Sequence, residues 1–515
     1  MKTITQPQYT ALTIAASTLG LIGCANQTPN QDHNPMRVDA TSITIQSPPQ
    51  TPRPPFNFNQ QEQRFLDETQ EATFRYFMQA VAPETGMVYD RTSSDVISIA
   101  GVGFQLAALP IGVERGWITR QQGAQRARLI IKSLKQEPSN RKAGLFYHFI
   151  NPHDASARRV GRELVVSTVD SALLFSGMIV AAQYFQGDIL TDTNTLLEQA
   201  DWSFFAADPG DDAPEGTFLS LGWKPSSDAK PTAEGELLPY YWLDCGDEHR
   251  LTTFLAACAT NPDHRVPTSM YWALRRQLGY HQDQGHIVWF PYSGALFTSF
   301  FAHLFIDYNT LATDHPSAHN QHHRASVDWW ENSRRTVNLH RDRAIQNPLQ
   351  LPTLAPDAWG FSASDGPEGY VVSGQYPQPV EMLGAQPNRD FATYQPNTDW
   401  GDGIIAPYAA GTSIMFEPQL AIQALKRAKS ASATDARLSV WNPPNHQPWG
   451  FVDAFRLDHA GQLDWVAEDF VAISQGPLIL GIENARTGLI WELFMAHPMI
   501  QAGSERLGLT QEHQP

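Results

Sequence analysis

The stretch Tyr240-Tyr-Trp-Leu-Asp-Cys-Gly-Asp-Glu-His-Arg-Leu-Thr-Thr-Phe-Leu-Ala-Ala257 carries an aromatic run into three carboxylates and then into an apolar-periodic segment. Leu251, Phe254, Leu255 and Cys258 recur at three and four residues, so the spacing predicts a helix with Asp244, Asp247 and Glu248 at its mouth. Tyr240, Tyr241 and Trp242 are flat surfaces suited to the C–H face of a sugar ring, and carboxylates suit its hydroxyls. Asp244 is also a good N-cap with Asp247 three residues on, because acidic groups satisfy the free N–H groups of a first turn. Capping accounts for Asp244 and Asp247. It leaves Glu248 over, which makes Glu248 the candidate acid.

The same helical period recurs along the chain. A first helix begins at Glu62, and further segments are expected at Val102 to Glu114, Arg120 to Lys135, Val166 to Phe185, Leu196 to Phe205, Arg250 to Thr260, Met270 to Leu278, Gly294 to Leu304, Ser326 to Gln346, Pro418 to Lys429 and Leu478 to Leu493. Their connections are long and rich in Gly, Pro, Asp and Trp. No comparable series of alternating strands occurs, which excludes a doubly wound sheet. The expected fold is all-α, a closed helical toroid forming a single catalytic domain over residues 60–508, with a tail at 509–515.

Composition sets outer bounds. The 515 residues are 42% hydrophobic and 11% aromatic and include 14 Trp, enough for a large core with aromatics left to line a cleft. A net charge of −17 argues against nucleic acid or an anionic membrane surface as partner, since both reward Lys and Arg. A neutral substrate fits better.

At the N-terminus Lys2 precedes the apolar run Ala11 to Ile22, too short for a permanent span, which ends in Leu21-Ile-Gly-Cys24. This resembles a bacterial lipobox. Residues 1–23 are then a signal peptide and Cys24 carries the lipid. Ala25 after the Cys implies the outer membrane of a periplasmic envelope. Residues 24–59, full of Pro, Gln, Asn and Thr, read as a disordered tether. Cys245 and Cys258 read as buried free thiols, with no Cys-x-x-Cys spacing for zinc.

Other acids lie in loops. Asp170, in Thr168-Val-Asp-Ser171, either caps an apolar helix or faces the cleft. Glu368 sits in the turn Asp365-Gly-Pro-Glu-Gly369, Asp402 in the turn Trp400-Gly-Asp-Gly403, and Asp453 stands alone among aromatics in Trp449-Gly-Phe-Val-Asp-Ala-Phe455. Burial would raise the pKa of Asp453 unless a partner offsets it. His315, His319, His322 and His323 read as a solvated loop, lacking acidic or Cys ligands at a fixed offset. Arg334 and Arg335 are expected to anchor a helix by pairing carboxylates, with sugar contact by Arg334 the other reading.

Eight stretches in one order resemble the bacterial glucoamylase-like family, which includes the endo-β-1,2-glucanases of glycoside hydrolase family 144 and their clan relatives. They are Thr73 to Phe77, Gly112 to Thr119, Ser167 to Leu174 with Ala182 to Phe185, Trp330 to Arg335, Trp359 to Tyr370, Asp402 to Pro407, Gly450 to Phe455, and Ile473 to Pro477 with Glu483-Asn484. The resemblance implies an (α/α)6 barrel. Its general acid, a Glu opening a helix, falls on Glu248; its base, an Asp far towards the C-terminus, falls on Asp453 first and Asp402 second. An acidic pair of one branch falls on Ser167 and Asp170, so one acid is missing. The expectation is an endo-acting hydrolase of β-1,2-glucan in which one protonated carboxyl serves the leaving oxygen and one carboxylate activates water or attacks C1. Asp170, Asp247, Tyr241, Trp242, Trp400, Arg334 and Glu368 would bind substrate, in a monomer needing no cofactor or metal. A glucan transglycosylase and a non-catalytic glucan-binding lipoprotein are the rivals.

Overall fold

The computed structural model describes residues 36–210, 216–226, 234–291, 293–383 and 398–511. Cys24, and with it the expected signal peptide and lipid anchor, lies outside them. The described chain forms α1 (Gln60–Gln79), α2 (Ile99–Glu114), α3 (Arg120–Gln136), α4 (Thr168–Phe185), α5 (Asp188–Gln199), α6 (Asp247–Cys258), α7 (Thr268–Ala273), α8 (Trp329–Gln346), α9 (Pro407–Thr412), α10 (Pro418–Ser430), α11 (Ala472–Arg486), α12 (Leu489–Met495) and α13 (Pro498–Leu507). Between them run short paired strands, none forming a closed sheet.

Two kinds of helix alternate, and their composition explains where each goes. The one-sided helices α1, α3, α5 and α10 bury a stripe such as Leu66, Phe74 and Phe77 and present polar residues outward. Capping boxes Asn59–Glu62 and Thr119–Gln122 fix the starts of α1 and α3. By contrast α2, α4, α6, α9 and α11 are buried almost all round. They make the inner ring. In it α2 packs on α4, α4 on α6, α6 on the buried segment Leu296–Leu304, that segment on α9 through Phe300 and Tyr408, α9 on α11, and α11 back on α2. The architecture is an (α/α)6 barrel.

The α2–α4 contact depends on two glycines. A Cβ at Gly177 would stand 1.8 Å from the Gly103 carbonyl oxygen, and one at Gly103 would stand 2.3 Å from that of Leu173. Gly177→Ala is therefore expected to destabilise the protein by about 2–3 kcal/mol in urea melts, despite alanine's better helix propensity. Unchanged stability would show that the helices can separate freely.

Several expectations need correction. The run Gly294 to Leu304 is two 3-10 turns, Leu296–Ser299 and Ala302–Leu304, because the Asp247 carboxylate accepts the N–H groups of Ala302 and His303 and interrupts the helical ladder. The expected Leu478 to Leu493 helix breaks at Gly488, where φ is +74°, into α11 and α12. The helix expected at Leu196 to Phe205 lies earlier, as α5, and α9 and α13 were not anticipated. The tether reading fails from Met36 onward. Arg37–Val38 pairs with Glu381–Met382, Thr44–Ile45 pairs with Ser326–Val327, and Arg53 grips Asp328 while lying 4.6 Å over the Trp330 ring. Backbone pairing and one anchored Arg hold a segment that has no hydrophobic period.

Candidate active site

The segments leading into the inner helices are stitched together at one end of the ring. Ile97–Ser98 before α2 pairs with Phe149–Ile150, Val166–Ser167 before α4 pairs with Gly222–Trp223, and Arg91 bridges to Val471 before α11. Trp242 Nε1 donates to Thr168 Oγ1 at 2.8 Å, tying the carboxylate loop to the start of α4.

Glu248 is the second residue of α6 and is 4% exposed. Burial, then the charges of Asp170 and Asp247, push its carboxyl up to about 8, overriding the helix N-terminus, which favours the anion. Its Oε1 is buried with no hydrogen-bond partner. At neutral pH this group is a carboxylic acid with a proton to give. His249 Nδ1 lies 2.8 Å from the Asp244 carbonyl, which can only accept, so Nδ1 carries the proton and Nε2 presents a lone pair 3.8 Å from Glu248 Oε1. Burial holds that imidazole neutral, its pKa down at about 3. It lies between Trp242, 4.1 Å away, and Phe290, 4.6 Å away.

Asp453 is 1% exposed, and its Oδ2 accepts the Asp365 N–H at 2.7 Å while Oδ1 has no partner. Burial and the neighbouring Asp365 charge raise it to about 7. Arg91 restrains this acidic cluster, lying 2.9 Å from Asp365, 3.5 Å from Asp90 and 3.5 Å from Asp469. Tyr408, whose hydroxyl donates to Ala363 O at 2.9 Å, feels both the Asp453 and the Glu248 charge. The two carboxyls thus share one neighbourhood.

Asp170 stands in the first turn of α4, capped by Ser167, and is 8% exposed. His148 lies 3.6 Å from Asp170 and 2.6 Å from Glu163. Burial pulls the imidazole down, but the Asp170 and Glu163 charges carry it to about 9, so it is a cation at neutral pH. Ser167, not Asp170, caps α4, and the Asp170 charge is felt at Glu248.

Other expected site residues fall elsewhere. Asp247 is held by Arg250, Ala302 N–H and His303 N–H, which leaves it no role towards a hydroxyl. The N-cap is Gly246, and neither Asp244 nor Asp247 caps α6. Trp242 is 3% exposed and packed, so it is a wall rather than an open sugar platform, while Tyr241 stays half-buried. Arg334 spends its guanidinium on Glu331, at 2.8 and 3.0 Å, and on Glu417, at 2.9 Å; the anchoring reading holds and the sugar reading does not. Trp400 is half-buried, edge-on to Phe361 at 5.7 Å. Asp402 is exposed in a tight turn at φ +50°, and Glu368 is exposed at the tip of the hairpin Ala363–Gly366 and Gly369–Val372. Among the described residues no hydrogen bond or ion pair joins either of them to Glu248 or Asp453.

Sequence reasoning missed His148, Glu163, Arg91, Asp365, Asp469 and Tyr408. Asp365 was visible within a quoted motif but read as a turn. His148 and Glu163 come together across a local loop without a spacing motif, whereas Arg91, Asp365 and Asp469 meet from segments hundreds of residues apart.

The chain is similar in sequence and in fold to known proteins. Residues 239–498 match the family described as "Putative glucoamylase". The exo β-1,2-glucooligosaccharide sophorohydrolase (non-reducing end) of Parabacteroides distasonis is 25% identical over 478 residues, 87% of this chain; the chain spans 58% of that relative's length. Among solved structures, a "putative glucoamylase" from Bacteroides uniformis superposes with a TM-score of 0.69 at 26% identity, covering 88% of this chain and 99% of that one. The endo-β-1,2-glucanase of Chitinophaga pinensis, in complex with sophorotriose and glucose, gives a TM-score of 0.69 at 24% identity, covering 87% and 99%. With its matched region running from the carboxylate loop through α12, and its barrel shared with these structures, the chain belongs to the glycoamylase family.

Proposed function

We propose that the protein is a glycoside hydrolase acting on β-1,2-glucan, with Glu248 as general acid and Asp453 as general base. The observation that carries this reading is the Glu248 carboxyl, buried, held protonated at neutral pH and left without a hydrogen-bond partner at Oε1. Glu248 gives its proton to the glycosidic oxygen as the C1–O bond breaks. Asp453 takes a proton from the water that adds to C1, so one water is consumed for each linkage cut. Asp170, held 3.6 Å from His148, helps to raise the Glu248 carboxyl and so to keep the acid protonated.

The linkage is supported by the names of relatives of both kinds, one acting on β-1,2-glucooligosaccharide and one a β-1,2-glucanase. Endo action is supported by extent of match, since the endo-glucanase is covered over 99% of its length and the sophorohydrolase over 58%. The Leu21-Ile-Gly-Cys24 stretch supports a lipid-anchored periplasmic placement. Purified protein given linear β-1,2-glucan is expected to release new reducing ends as a ladder of short oligosaccharides. Absence of reducing ends would leave a glucan-binding protein, and products longer than the starting oligosaccharide would mark a transglycosylase.

A further inference from the structure

The hairpin Leu278–His281 and Gly285–Val288 lies along α8. At its base Val288 exchanges both backbone groups with the Asn332 side chain, at 2.8 and 2.9 Å. Midway the His286 carbonyl accepts Arg335 Nη1 at 3.0 Å. Asp342 lies ten residues beyond Asn332, roughly 15 Å along the helix axis, where the hairpin tip arrives.

At that tip one ligand atom each from His281, Asp283 and Asp342 lie within 4.8 Å of one another. Acidic clusters alone signify little. Here, however, His281 is 6% exposed, and its Nδ1 is buried with no hydrogen-bond partner and points at Asp342 Oδ2, 3.9 Å away. A buried imidazole nitrogen facing a carboxylate at a distance too long for a hydrogen bond leaves room for an atom between them. Bonds of about 2.0–2.2 Å from a cation to imidazole and carboxylate put its ligands roughly 3–4 Å apart. Asp283 is exposed on the turn, so it can close the remaining gap. Arg343 is the nearby opposing charge, but its Nη1 is drawn to Gln346 at 3.1 Å and its Nη2 to the Tyr376 carbonyl at 3.3 Å. Gln284 Nε2 reaches Asp342 Oδ2 only at 3.4 Å, a weak contact that a cation would displace.

We infer that His281 Nδ1, Asp283 and Asp342 form a site for a divalent transition-metal cation of the Zn²⁺ or Mn²⁺ type. One imidazole with two carboxylates suits these ions, whereas Ca²⁺ takes oxygen ligands. The ion fastens the free end of the hairpin to α8. From the base of the hairpin the chain runs directly to Phe290 against His249, so the cation braces one wall of the active site from a distance.

The test uses full-length, untagged protein stripped with EDTA and titrated with ZnCl₂ and MnCl₂ by calorimetry, alongside Asp283→Asn, Asp342→Asn and His322→Gln. Asp283 is exposed and makes no hydrogen bond that folding depends on among the described residues, so its variant folds as the wild type does. Binding of one cation, weakened at least tenfold in Asp283→Asn and Asp342→Asn and unchanged in His322→Gln, is the expected result. Equal affinity in the wild type and Asp283→Asn, loss in His322→Gln instead, or no heat of binding to the wild type would overturn it. The readout is binding, so its failure is distinct from failure of the hydrolase assignment.

Discussion

Glu248→Gln is expected to lower kcat on linear β-1,2-glucan by a factor on the order of 10²–10⁴, with KM nearly unchanged. Glutamine keeps the shape of the side chain and removes the proton, so binding survives and protonation of the leaving oxygen does not. A substrate whose aglycone is an acidic phenol needs no such proton. Its turnover should fall far less, and an equal fall on both substrates would sink the assignment of Glu248 as acid. The same substitution should act on stability with a definite sign. The folded carboxyl titrates near 8 and the unfolded one near 4.5, so the favourable contribution is complete below pH 4.5 and is lost as pH rises through about 8. At pH 9 the wild type therefore buries a carboxylate at a cost on the order of a few kcal/mol, and the glutamine variant does not. Thermal melts at pH 9 should rank the variant above the wild type, a difference that shrinks towards pH 4.

Asp453→Asn is expected to reduce kcat/KM by a comparable factor, on the order of 10²–10⁴, and to reshape its pH dependence. In the wild type the base must be ionised, a condition lost as pH falls through about 7, and the acid must be protonated, a condition lost as pH rises through about 8. The profile of kcat/KM should be a narrow bell with its maximum between those values. Asparagine has nothing to titrate, so the residual activity of the variant should keep the alkaline limb and lose the acidic one. Retention of the acidic limb in Asp453→Asn would move the base to another carboxyl, and Asp365, bonded to Asp453 through its own N–H, would be the first to examine.

Most of the barrel was legible in the chain, because a helix buried on every side and a helix buried on one side leave different patterns. The uniformly apolar α2 and α4 and the striped α1 and α3 declare their places in the ring. What the pattern could not show is what a distant side chain does to it. Asp247 looked like a cap for its own helix and instead accepts the first N–H groups of the 3-10 turn Ala302–Leu304, some fifty residues away. The docked arm at 36–59 has no periodicity because strand pairing at a sheet edge asks only for backbone groups. In the site, Glu248 stands out in the sequence as the acid that capping by Asp244 and Asp247 leaves over, yet neither of those two caps α6, and what distinguishes Glu248 in the structure is its burial. His148 and Arg91 were not readable, since each is defined by carboxylates brought from other loops. Trp242 shows the converse error, in which an aromatic next to an acid looks like a binding surface but serves to exclude water from it.

The closure of the ring between α2 and α11 also bears on how the chain reaches this state. Arg115 at the end of α2 meets the buried Glu483 of α11, 368 positions further along the chain, at 2.8 Å. Until α11 has been synthesised, the face of α2 that it covers has no partner but water or a chaperone, and an apolar surface left waiting in this way favours aggregation. The barrel consequently cannot assemble helix by helix from its first turn. A stop codon between the end of α4 and Ala472 would leave an open arc of helices rather than a closed, smaller barrel, and the apolar faces so exposed would invite proteolysis.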